Sequence, residues 1–160
     1  MESNTILSKK WSSCPSELCH IRSSITDACT EMHYTKADTN AIVLAIDEAC
    51  TNIMRYAYNS CSDGEIYVEV KTSQEEAIFR LHDHAKKVTD ECIAGQTSKL
   101  KEPGGLGVML MKEVMDTVHF VHTDTCPGNI LEMTKALPNI KAKIKPKIKA
   151  NIRPNGDSLA

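Results

Sequence analysis

The sequence predicts an α+β fold, a two-layer sandwich in which a mostly antiparallel sheet is covered by helices on one face. Three patterns carry that prediction. Two stretches repeat apolar residues at steps of three and four, two pairs of short alternating stretches are each joined by a turn-rich link, and a further helical stretch falls between the two pairs.

After a polar start, Leu18, Ile21, Ile25, Ala28 and Met32 form one buried face of a helix expected over about 16–32. Asp38 is the expected N-cap of a second helix, in which Ile42, Ala45, Ile46, Ala49, Cys50, Ile53 and Ala57 form the stripe and which ends near Asn59. Ile66, Val68 and Val70 then alternate with polar neighbours. Ala77, Phe79, Leu81 and Asp83 do the same, and the short link between the two runs makes them a hairpin. Residues 84–103 have no clean period, and a stretch of that length inside a compact domain reads as a lid or binding loop. A third helix is expected from Leu106 to Met115. Strands near 117–123 and 129–136 follow, joined by a turn at Cys126-Pro127-Gly128.

The chain has 160 residues, 41% of them hydrophobic and 25% charged, which is the composition of one soluble domain. A chain of this length buries roughly 70% of its unfolded surface, so its core needs no disulfide or metal staple. The seven cysteines are odd in number and include no CxxC pair, no secretory leader pattern opens the sequence, and no apolar run reaches 18 residues. A reduced, cytoplasmic protein outside the membrane is expected. Net charge is −2, divided as −7 over residues 1–140 and +5 over residues 141–160. The basic, proline-interrupted stretch over 138–160 reads as a flexible arm, leaving 1–137 as the folded domain. A solvated arm is favoured there over nucleic-acid or membrane binding.

Three places carry candidate chemistry. Glu48 and Asn52 are four apart and share a helix face, offering a proton acceptor and an oxygen ligand of the kind a hydrated Mg²⁺ takes. Alone, such a pair is an ordinary solvated edge. Asp83 continues an apolar strand face, where a carboxylate is costly unless something donates to it, as the exocyclic amine of a purine does. Pro103-Gly104-Gly105-Leu106-Gly107 directly precedes a helix, where glycines allow close backbone approach and unpaired N–H groups face an anion. Neither a Walker A lysine motif nor a strand-linked GxGxxG is present.

In this order, AIDEACTNIMRYAY, FRLHDHAKKV, GGLGVMLMKEVMD and GNILEMTKAL resemble the Bergerat or GHKL ATP-binding fold, and within it the anti-sigma factor serine kinases of bacterial stress and sporulation switches. The resemblance spans about residues 5–137. It implies that Glu48 is the general base toward a substrate serine, that Asn52 holds Mg²⁺, and that Asp83 binds the adenine of ATP. It places the Gly104, Gly105, Leu106 and Gly107 backbone along the triphosphate beneath a lid over roughly 86–103, and sets Thr134 beside the water network of the adenine; Lys99 and Lys101 are candidates to reach the γ-phosphate, with a solvated charge favoured over that role. It also implies a homodimer whose partners are a sigma factor and a STAS-domain antagonist, the latter being phosphorylated.

Two departures stand out. The family has His where this chain has Tyr56, and Gly where it has Ala85. If position 85 needs positive φ, alanine costs about 1–2 kcal/mol there and weakens the nucleotide site. These departures sustain an alternative reading, a protein-binding module that is nucleotide-gated or nucleotide-independent and has no kinase activity.

Overall fold

The computed structural model describes residues 3–59, 62–85, 105–121, 123 and 127–139. The expected lid, Gly104, Lys99, Lys101 and residues 140–160 of the expected arm lie outside them. Five strands, β1 (Asn4–Ser12), β2 (Glu65–Thr72), β3 (Glu76–Asp83), β4 (Thr117–Val121) and β5 (Asn129–Ala136), form one sheet. Its order is β1-β2-β3-β5-β4, with every neighbouring pair antiparallel. Three helices, α1 (Leu18–Glu31), α2 (Lys36–Asn52) and α3 (Gly105–Val114), complete the α+β fold.

Side-chain alternation decides which face of the sheet the helices cover. Ile66, Val68 and Val70 of β2, Phe79 and Leu81 of β3, and Leu131 and Met133 of β5 are buried together with Ile21 and Ile25 of α1 and Ile42 and Ile46 of α2. The opposite face carries charge. Lys71 Nζ lies 2.9 Å from Glu69, Arg80 lies 3.8 Å from Glu69 and 2.6 Å from Glu132, and His119 Nε2 lies 3.3 Å from Glu132, a ladder crossing four strands. The Tyr34 hydroxyl donates to the carbonyls of Lys135 and Ala136 at 3.0 and 3.1 Å, which seats the α1–α2 corner on β5.

Three expectations need correction. The polar start contains a strand: β1 pairs with β2 along its length, with a bulge between Thr5 and Leu7. It lies at the sheet edge and buries only Trp11, so it has no alternating stripe to betray it. The N-cap of α2 is Thr35 rather than Asp38. Thr35, in extended geometry, accepts from the Asp38 N–H at 3.1 Å and donates to the Asp38 carboxylate at 3.0 Å, so Asp38 supports the cap from inside the first turn. The α-helical pattern also stops at Asn52. Ile53–Ala57 winds as a π-helix, closed by the Tyr58 N–H on the Ile53 carbonyl at 3.2 Å.

Thr35→Ala is expected to lower stability by about 1 kcal/mol through loss of the cap, read as a shift in the urea midpoint. Burial also raises two thiols, Cys29 and Cys50, from 9.0 to about 12. Between about pH 9 and about pH 12 the unfolded chain loses these protons while the folded chain keeps them, so stability falls as pH rises. Unfolding free energies measured from about pH 8 to about pH 10.5 should decline, by up to about 1.4 kcal/mol per pH unit for each thiol.

Candidate functional site

The first part of the site lies where α2 meets the start of α3. Glu48 and Asn52 project one turn apart from α2, both half-buried. Gly107 is buried against them. A carbon added to it would lie 2.5 Å from Glu48 Oε2 and 3.6 Å from Asn52 Nδ2, so a side chain there would push the Glu48 carboxylate from its place. Gly105 opens α3, and its first-turn N–H groups have no intrahelical acceptor. Leu106 is 71% exposed, so its side chain belongs to the surface. Oxygen donors of this hardness suit a Mg²⁺ ion, and the α3 N-terminus suits phosphate.

Asp83 forms the second part, 4% exposed at the end of β3. Its Oδ1 accepts from the Ala85 N–H at 2.9 Å and from Asn129 Nδ2 at 3.0 Å. Both bonds fall on one oxygen. The hairpin before β5 presses closely on this corner. Gly128 has φ of 89°, and a side-chain carbon there would collide with the Asp83 carbonyl oxygen.

Asn129 was not foreseen from the sequence. Its signal was parity: it is the first residue of β5 on the face shared by Leu131 and Met133, and the register sets it opposite Asp83. Thr134, expected beside the adenine, is not brought to Asp83. It pairs with Ile78 and Thr117, on the opposite face of the sheet, and its hydroxyl lies 2.8 Å from that of Thr117. Ala85 also departs from expectation. Among the described residues only His33 and Asn59 are non-glycine residues with positive φ, so alanine carries no backbone strain at 85. Tyr56 is 47% exposed on the π-helix.

The fold is that of a histidine kinase-like ATPase domain. The chain belongs to that family, whose model matches residues 12–135. Within it the chain belongs with the serine-protein kinases RsbW. It is 31% identical over 126 residues to that of Bacillus licheniformis, covering 73% of this chain and 76% of the relative. Over 126 residues it is 29% identical to the RsbW of Bacillus velezensis and 28% identical to that of Bacillus subtilis strain 168, at the same coverage.

Asn129→Ala deletes a donor to a buried carboxylate. It is expected to lower stability by about 1.5–3 kcal/mol, measured by urea unfolding at neutral pH.

Proposed function

We propose that this chain is an ATP-dependent protein serine/threonine kinase that binds a sigma factor and phosphorylates a STAS-type antagonist in a partner-switching system. The observation that carries the reading is the meeting of Glu48 and Asn52 with Gly107 at the start of α3, in a chain whose relatives are named serine-protein kinases. When bound, ATP with Mg²⁺ supplies the phosphoryl group and the neutralising cation. Asp83, held by Asn129 and the Ala85 N–H, accepts from the purine amine through its remaining oxygen. Asn52 offers its carboxamide oxygen to the cation. The first-turn N–H groups of α3 border the phosphates. Glu48 orients the substrate hydroxyl and takes up its proton, and the protein otherwise contributes position and charge stabilisation.

The working unit is a homodimer of residues 1–137, with 138–160 as a basic arm that serves partner or surface contacts. Leu137 belongs to the folded part, since its N–H donates to the Glu75 carbonyl at 2.9 Å and its side chain packs on the core, and Pro138 and Asn139 beyond it are helical. Truncation after Leu137 is expected to leave the melting temperature unchanged, and a large drop would show that the arm docks on the fold.

Glu48→Ala is expected to bind ATP as the parent does and to transfer no label to a STAS antagonist; transfer at the parent rate would remove Glu48 from its role. Asp83→Asn is expected to weaken ADP at least about tenfold in titration calorimetry, the equivalent of one charged hydrogen bond. Label on the antagonist from the parent chain would exclude a pure binding module.

A further inference from the structure

Tyr58, partly buried against the core, links the segment after Asn52 to the start of β2 and to the residue after Asp83. It follows the π-helix that begins directly after Asn52, and its N–H closes that helix on the Ile53 carbonyl. Its hydroxyl donates to the Glu65 carbonyl at the start of β2 and accepts from the His84 N–H, both at 2.8 Å. His84 is the residue after Asp83. The ring lies so close over Gly64 that a side-chain carbon there would come within 2.5 Å of three ring atoms. Gly64 is itself pinned, its carbonyl accepting from the Ser13 N–H at 2.7 Å and its N–H donating to Ser13 Oγ at 3.0 Å.

The hydroxyl is therefore fixed at both ends. One bond ties it to the sheet, and the other holds the peptide that leaves Asp83. On its other side, the Asp83 carboxylate is held by Asn129. A π-helical turn shifts the backbone register by one residue relative to α-helix. Tyr56, within the π-helix, stays exposed, while Tyr58, the first residue after it, reaches His84.

We propose that Tyr58 is a positioning residue for the nucleotide site, holding the Asp83–Ala85 corner at a fixed distance from the end of α2 that carries Asn52. The inference rests on the reading of Asp83 as the purine acceptor. It requires no contact between Tyr58 and the ligand. It also gives the π-helix a function, that of setting where α2 hands over to the tether.

Tyr58→Phe keeps the ring over Gly64 and deletes both hydroxyl bonds. Titration calorimetry with ADP and Mg²⁺ should give an affinity about tenfold below the parent. In an Asp83→Asn background the same change should cost less than about twofold, because the tether then holds a corner that no longer binds. Amide exchange at His84 should accelerate in the ligand-free variant. Gly64→Ala, which displaces the ring without removing the hydroxyl, should reproduce the selective loss if the phenylalanine variant folds poorly. Parental ADP affinity in Tyr58→Phe, or an equal penalty in both backgrounds, overturns the proposal and leaves the nucleotide reading standing. Absence of ADP binding by the parent chain overturns both.

Discussion

Contact between the apolar stripe of α2 and the apolar face of the sheet is the interaction on which both parts of the site depend. Ile42, Ala45, Ile46 and Ala49 are buried on one side of α2, which leaves Glu48 and Asn52 on the flank toward α3. The same contact fixes the register of β3 and β5, since a strand slipped by one residue would turn every apolar side chain outward. With Phe79 against Met133 and Leu81 against Leu131, Asp83 falls opposite Asn129. The hydrophobic pattern thus aligns a polar pair that could not have paid for its own burial. An aspartate at this position without that register would meet Ile130 or Gly128 instead of a carboxamide.

Close approaches to glycine, with one irregular turn, concentrate around this arrangement. Gly64 accommodates the Tyr58 ring, Gly107 accommodates Glu48, and Gly128 accommodates the Asp83 carbonyl. Each glycine lets one element come closer than a side chain would allow, and each close approach involves a residue of the site or its tether. The π-helix adds a fourth irregularity immediately after Asn52. The regular elements depend on burial and tolerate changes of similar volume. These contacts depend on missing atoms, so they are narrow in what they accept.

Much of the fold was legible because its signals are local. The α1 and α2 stripes, both hairpins and α3 follow from spacing alone, and the observed bounds differ from the expected ones by a few residues. β1 was not legible, because an edge strand that buries one side chain owes its existence to β2 rather than to its own sequence. The site divides in the same way. Glu48, Asn52 and Gly107 were readable as a helix face and a glycine turn, whereas Asn129 depends on cross-strand register, which no single segment encodes. Thr134 was assigned by its place in a motif and falls on the other face, which shows how one step of parity outweighs sequence proximity. The cost at Ala85 was conditional on a left-handed backbone, and this corner does not adopt one.

Asp83 is held by two different devices, and the difference has a consequence. Asn129 and the Ala85 N–H act on the carboxylate itself, fixing which oxygen is occupied. Tyr58 acts on the peptide beyond it, fixing where the backbone turns away from β3. The first pair stabilises charge in a buried setting, so its removal is felt even in the empty protein. The tyrosine bond restrains a half-exposed corner, so its removal costs little until a ligand must span from that corner to α2. Pre-organisation of this kind contributes to affinity by lowering the ordering entropy of the bound state. On the proposed reading, a tether on the strand side and a glycine contact on the helix side together set the span of the site before any nucleotide arrives.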